Sequence, residues 1–345
     1  FLKMGSQIAI HERKGSFSDR WIEYCEEHNV KYKTVNCYDT NIIEQLMPVD
    51  GLLWHWAHNI LADALAAKAI ISTVETMGKK VFPNSDTCWH YNNKIGQKYL
   101  FESLRAPLVP TYVFYDLQKA LAWIEETSFP KVFKLSKGAG SNNVRLVRSA
   151  AEAKKLAEQA FTIGIKQSGE YFRDVGIRFK RARQRRDLLG VLKRMPKAIL
   201  NSRKTQTHYE LERDYIYFQD FMPDNKFDTR ITVIGNRGFG FTRNVRKNDF
   251  RASGSGSIDY DLSRINPKCV QIAFELTRQI GGQCLGFDFV KATDDQPTIV
   301  EVSYCFMAEA VHNCPGHWDN QLNWHEGQIW PQDAILIDLL ELLHS

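Results

Sequence analysis

The sequence predicts an α/β chain of more than one packed unit, with a parallel sheet first and antiparallel sheets later. Three observations carry this. At 345 residues the chain is long for one domain, since domains hold roughly 100–200 residues each. Between 7 and 82, short apolar runs alternate with amphipathic stretches, the pattern of parallel strands joined by right-handed helical crossovers. From 215 onward the apolar residues alternate with period two around turn signals such as Gly235-Asn236, the pattern of antiparallel strands.

The first unit is expected over 1–82. Strands are predicted over 7–11, 31–36, 51–56 and 80–82, with helices over 18–28 and 60–77. Trp21, Ile22 and Cys25 fall on one face of the first helix, and Leu52, Leu53 and Trp54 make the third strand a buried one. The second unit, 83–220, opens with a helix over 92–103 and a turn-rich 105–111. Strands over 131–135 and 144–147 flank a Gly/Ser-rich 136–143, so they read as a hairpin with a long loop. Ser149 is placed to cap a helix over 150–161. The third unit covers 221–345. Strands over 215–220, 229–234 and 238–243 are expected to pair antiparallel; a helix over 266–280, strands over 284–290 and 298–302, and a helix over 333–343 follow.

Hydrophobic residues make up 43% and charged residues 25% of the chain, which excludes a disordered or collagen-like protein. No apolar run approaches the ~20 residues that span a bilayer. Seven cysteines without C-x-x-C spacing do not form a disulfide framework. Charge interrupts 7–12 too early for a secretory signal, and residues before Met4 are expected to be a tail. A soluble, reduced, cytoplasmic protein is predicted.

The net charge of +5 is uneven. Between Tyr171 and Lys204 stand twelve Lys/Arg against Asp174 and Asp187, a net +10, so the rest of the chain is net −5. A stretch of this kind attracts phosphates over about 8 Å at physiological salt. A nucleotide- or lipid-linked acceptor, or an anionic membrane surface touched peripherally, fits it; so does a solvated arm that only aids solubility. Beyond Tyr171, Phe172 and Phe179 the stretch is poor in aromatics, which argues against single-stranded nucleic acid.

Two segments carry chemistry. The run from Lys134 to Ser141, KLSKGAGS, puts a strand-borne lysine ahead of a glycine loop whose backbone N–H groups can approach phosphates. It is not G-x-x-x-x-G-K-[ST], so a P-loop is excluded; a plain hairpin tip is the other reading. Downstream, Asp288 and Glu301 lie inside two apolar strands, where a carboxylate is costly without compensation. Paired antiparallel, they can face one side and suit Mg²⁺ and ATP phosphates. A half-exposed sheet with a wet face would look the same.

In this order the motifs resemble the ATP-grasp superfamily, on the branch of glutathione synthetase, D-alanine–D-alanine ligase and RimK-type ligases, over about 82–311. The resemblance implies an ATP-grasp fold: a pre-ATP-grasp α/β domain, a small lid domain carrying a basic insertion at about 163–207, and a C-terminal catalytic domain. It makes Lys94 and Lys134 the nucleotide-binding lysines, and Gly138, Gly140 and Ser141 part of the loop over the phosphates. Gln219, Asp220, Phe221 and Met222 match the adenine-contacting hinge, and Asp228 the ribose-binding acid. Arg243 matches the arginine that steadies the transferred phosphate; Asp288, Glu301 and Ser303 match the ligands of two Mg²⁺ ions. Arg230 and Arg246 join Arg243 in an electropositive group suited to an acceptor carboxylate. Ser253 and Gly254 lie in a Gly/Ser loop that could offer backbone donors to an oxyanion. Two departures stand out: Ser303 replaces the usual Asn, and Asp220 the usual Glu.

The activity implied is ATP-dependent joining of a carboxylate to an amine through an acyl phosphate, with a sugar acid or a nucleotide- or lipid-linked sugar of surface-polysaccharide assembly as one acceptor. A small-molecule kinase and a nucleotide-binding homologue without turnover remain open. Oligomeric state is not readable. In the first unit, 12–18 and Trp54-His55-Trp56 follow strand ends, the usual ligand side; His55 between two tryptophans is more often a packing residue than a substrate contact or acid/base. Cys305, His312, Cys314 and His317 are zinc-ligand types in no common zinc spacing, and the Trp-rich 316–330 suits a ring-binding pocket or core packing.

Overall fold

The computed structural model describes residues 6–138, 143–167, 211–246, 250–252, 256–292 and 294–344. Two compact units result: Phe1–Trp56, Leu65–Thr111 and Met222–Ser345 form one; Ala57–Ala64 and Tyr112–Phe221 form the other.

The first unit opens with β1 (Ile8–His11), α1 (Phe17–Glu27), β2 (Tyr32–Val35), α2 (Ile42–Leu46), β3 (Gly51–Leu53), α3 (Leu61–Thr76) and β4 (Lys80–Phe82). The strands pair in parallel in the order β2-β1-β3-β4. Every residue of β1 and β3 is buried, as their unbroken apolar runs require. Helices α4 (Ser85–Cys88) and α5 (Lys94–Ser103) follow; Asn84 and Asn93 cap them by accepting from the Thr87 and Gly96 N–H groups.

In the second unit come β5 (Thr111–Phe114), α6 (Leu117–Glu126), β6 (Lys131–Lys134), β7 (Val144–Val147) and α7 (Ala150–Phe161). They are followed by β8 (Ile165–Lys166), β9 (Leu211–Glu212) and β10 (Ile216–Asp220). The hairpin of β6 and β7 and the Ser149 cap, accepting from the Glu152 N–H, are as expected. The strand at 215–220 does not join its sequence neighbours. It pairs antiparallel with β6 in a sheet ordered β5-β10-β6-β7. The reason lies in its inner face: Ile216 and Phe218 pack with Phe133, Ala120 and Ile124 in a separate core under α6 and α7. Strands β8 and β9 pair across the basic segment, whose residues 168–210 lie outside the described residues.

The chain returns to the first unit with β11 (Phe227–Ile234), β12 (Arg237–Asn244), β13 (Ile258–Asp259) and α8 (Pro267–Ile280). Then come β14 (Cys284–Lys291), β15 (Pro297–Ser303), α9 (Ala308–His312), β16 (Gly316–Trp318), β17 (Trp324–Glu326) and α10 (Pro331–His344). A seven-stranded sheet runs β15-β14-β11-β12-β16-β17, with β13 also on β12. One continuous core joins this sheet to the parallel one. Helix α10 takes part in it: the Trp21 indole N–H of α1 donates to the Gln332 carbonyl at 3.0 Å, and Arg20 pairs with Asp333 at 2.8 Å. Among the described residues no helix is long and apolar enough to cross a membrane.

Candidate active site

The carboxylate half of the expected site is built on one face of the seven-stranded sheet. Residues two apart on a strand share a face, so Asp228, Arg230 and Thr232 of β11 point the same way. Directly opposite residues share it too. Asp228 faces Arg243 of β12; Arg230 faces Asp288 and Thr232 faces Gly286 of β14. Asp288 in turn faces Glu301, and Gly286 faces Ser303, on β15. The register slips just after Asp288, which leaves the pair aligned at the end of its regular stretch. Gly286 keeps the face open beneath Arg230: a Cβ there would stand 3.3 Å from the Thr232 hydroxyl oxygen and the Ser303 carbonyl.

Within this face the charges interlock. Arg243 donates to both oxygens of Asp228, at 2.8 and 2.6 Å, and reaches Asp288 at 2.8 Å. Arg230 donates to both oxygens of Asp288, the second at 2.8 Å. Lys94, at the start of α5, stands 3.4 Å from Glu301. Asp228, Asp288 and Lys94 are buried, and the Glu301 side chain is one-third exposed. Burial pushes the Asp288 carboxyl up, but Arg230 and Arg243 outweigh it and hold the group well below the usual carboxylate range. For Asp228 burial dominates and the Arg243 pairing offsets only part of it, so its carboxyl is raised. Burial disfavours the Arg243 charge, and Asp288 and Asp228 more than restore it.

The oxygen set suits Mg²⁺, which prefers carboxylates and retains waters. Asp288 and Glu301 face each other across adjacent strands, and Asp288 Oδ2 carries one arginine bond against two lone pairs. Ser303 is less open than expected: its hydroxyl donates to the Cys305 carbonyl at 3.0 Å and accepts the Cys305 N–H at 3.1 Å. Among the described residues no three His, Cys, Asp or Glu side chains gather as a metal site. Cys305, His312, Cys314 and His317 accordingly form none. His312 stacks on Trp330 at 3.8 Å, and His317 faces His325 across the β16–β17 hairpin. Trp318 packs edge-on to Trp324 in that same hairpin.

The second unit carries Lys134 and the first hinge residues. Lys134, at the end of β6, is buried and donates to Gln219 Oε1 at 2.6 Å. The register pairs Gln219 with Val132 and Asp220 with Lys131. Asp220 is thus turned to the opposite face, where Lys131 holds it at 2.6 Å with its ammonium over the Tyr112 and Trp123 rings. Lys131 was not among the expected residues, and nothing in its spacing marks it out. Phe221 and Met222 lie at the boundary of the two units. Gly138 has φ +107°, a backbone conformation that strains any residue with a side chain. Gly140, Ser141, Ser253 and Gly254 lie outside the described residues. Arg246 follows β12, with its backbone N–H on the Arg251 carbonyl at 3.3 Å.

His55 is buried and stacked on Phe17 at 3.8 Å, with neither ring nitrogen hydrogen-bonded. Its carbonyl accepts from Arg13 at 2.7 Å, tying the segments after β1 and β3. Burial, seconded by the Arg13 charge, pushes the imidazole down to about 3.

No family model and no curated protein matches the sequence. Solved structures do. A RimK domain ATP-grasp protein from Sphaerobacter thermophilus superposes with TM-score 0.56 at 12% identity, covering 96% of this chain and 98% of its own. Carboxyaminoimidazole ribonucleotide synthase from Aspergillus clavatus, complexed with ATP, gives 0.57 at 12% identity over 97% of this chain and 77% of its own. D-cycloserine synthetase gives 0.54 at 13% identity over 97% of this chain and all of its own. The chain has the ATP-grasp fold. Its parallel and antiparallel sheets are those expected of that fold.

Proposed function

We propose that the chain is an ATP- and Mg²⁺-dependent carboxylate–amine ligase that releases ADP. The observation that carries this reading is the single sheet face on which Asp228, Arg230, Arg243, Asp288 and Glu301 meet, with Lys94 on Glu301. A surface that neutralises two buried acids with two arginines is a costly arrangement for stability alone, and it is suited to phosphoryl chemistry.

The residues divide the work. Lys134, Lys94 and Gly138 would bind the phosphates, with the hinge from Gln219 to Met222 and Asp228 on the nucleoside. Gly140, Ser141, Ser253 and Gly254 are assigned on the sequence resemblance alone. Arg243 would neutralise the phosphoryl oxygens during transfer; Arg230 and Arg246 would orient the acceptor carboxylate. Asp288 and Glu301, with Ser303, would hold Mg²⁺, which when bound neutralises charge on the phosphate chain. A carboxylate oxygen attacks the γ-phosphorus, the bond to ADP breaks, and an acyl phosphate forms. An amine then attacks the acyl carbon, inorganic phosphate leaves, and the amine gives up a proton as the amide forms. The basic 171–204 supports a phosphate-rich acceptor, such as a nucleotide- or lipid-linked sugar acid of surface-polysaccharide assembly.

The test is ADP release against panels of uronic acids, amino acids and nucleotide sugars, with hydroxylamine as trap. A hydroxamate is expected. A stable phosphoester would make the protein a kinase, and no acceptor-stimulated ADP release would sink the enzymatic reading.

A further inference from the structure

We infer that Glu212 is a positioning residue that directs the chain leaving Lys134, fixing the backbone at Ser136 and Lys137 and so supporting the affinity of that strand end for the phosphates of ATP. Glu212 is a buried acid in a two-residue strand, where a carboxylate without partners would be strongly unfavourable. Its partners are specific. Oε2 accepts the Ser136 backbone N–H at 2.9 Å and the Tyr215 hydroxyl; Oε1 accepts the Lys137 backbone N–H at 3.3 Å and the Gln167 amide. Tyr215 adds a second hold, its hydroxyl oxygen accepting the Ser136 N–H at 2.7 Å.

Consecutive backbone N–H groups closing on one anion make a nest, the device by which loops take phosphates. Here the protein fills the first such nest after β6 with its own carboxylate. The direction of the chain at 136–137 is thereby set. The segment from Glu212 to Gln219 thus holds both sides of the loop's root: Glu212 grips the backbone of 136–137, and Gln219 grips the Lys134 ammonium. Asn143 closes the other side. Its carbonyl accepts the Leu135 N–H at 3.2 Å, and its amide donates to the Lys137 carbonyl at 3.4 Å.

This inference rests on the ATP-binding reading, and two measurements on the full-length protein separate them. The first compares Kd for ATP and for adenosine. In Glu212→Gln, the amide presents N–H donors where one backbone N–H stood, so ATP should weaken about tenfold with adenosine unchanged. The second is hydrogen exchange: protection at 136–138 should fall while β10 stays protected. Tyr215→Phe, a milder change that keeps the carboxylate, should weaken ATP about threefold in the same direction and serves if Glu212→Gln does not fold. Unchanged ATP affinity with unchanged protection would overturn the inference. So would equal weakening of ATP and adenosine together with loss of protection in β10, the mark of a merely structural acid. If the wild type does not prefer ATP to adenosine, the functional reading fails by itself. Exchange at 136–138 then decides alone whether Glu212 directs the chain.

Discussion

Asp288 and Glu301 stand opposite each other on adjacent antiparallel strands, yet each is neutralised by a different cation: Asp288 by Arg230 and Arg243, Glu301 by Lys94. The charge of the face is therefore balanced by the protein itself. Several measurable consequences depend on that balance.

Removing Arg243 strips the buried Asp228 of its guanidinium and leaves the buried Asp288 with Arg230 alone. Arg243→Ala should cost about 3–5 kcal/mol, the scale for breaking a buried ion pair from one side. Urea unfolding checks this, and a loss below about 1 kcal/mol would contradict the packing described.

Metal removal should act on turnover and not on folding. Because both acids are already compensated, a chelator should abolish ADP release while moving the thermal midpoint by less than about 2 °C. A large drop in the midpoint would mean that the face needs the ion to fold.

Lys134 and Glu301 should fail differently. Lys134→Ala removes a buried positive charge and should weaken ATP by about a hundredfold or more. Glu301→Gln keeps shape and volume, so ATP should still bind while Mg²⁺-dependent turnover falls by a similar factor. Isothermal titration beside an ADP-release assay distinguishes the two, and full activity in either variant would count against the assignment.

His55 supplies a pH dependence whose sign can be worked out. Its folded value of about 3 lies below the ordinary 6.5, so below pH 6.5 the unfolded chain binds a proton that the folded chain refuses. Stability is complete above pH 6.5 and is lost as pH falls toward 3. His55→Phe preserves the stacking on Phe17 and removes this linkage. The variant should be less acid-sensitive by about 2 kcal/mol at pH 5 relative to pH 8. Parallel urea curves for variant and wild type across that range would refute it.

Much of this was legible beforehand where a signal is local. Ser149 is a cap by residue type, the 131–147 hairpin is bracketed by its Gly/Ser loop, and the alternation of 284–302 puts Asp288 and Glu301 within reach of one face. What could not be read is non-local. The partner of β10 depends on which core Phe218 joins, and sequence proximity suggested β11. The resemblance assigns Arg243 to the transferred phosphate and, with Arg230, to an acceptor carboxylate, but their grip on Asp288 follows from registers between strands some 45 to 60 residues apart, which composition does not encode. Asp220 was read with Gln219, although period two sends neighbouring side chains to opposite faces. Helix α6 carries a local signal of the same kind as Ser149, Asp116 accepting the Lys119 N–H.

The bond from Trp21 to Gln332 spans 311 positions of sequence. During synthesis, therefore, the parallel sheet emerges from the ribosome long before α10 exists to cover it, with an indole and a guanidinium still waiting for their partners. Truncated products that stop before Pro331 would present that bare flank to chaperones and proteases, which makes α10 a checkpoint on the integrity of the parallel sheet.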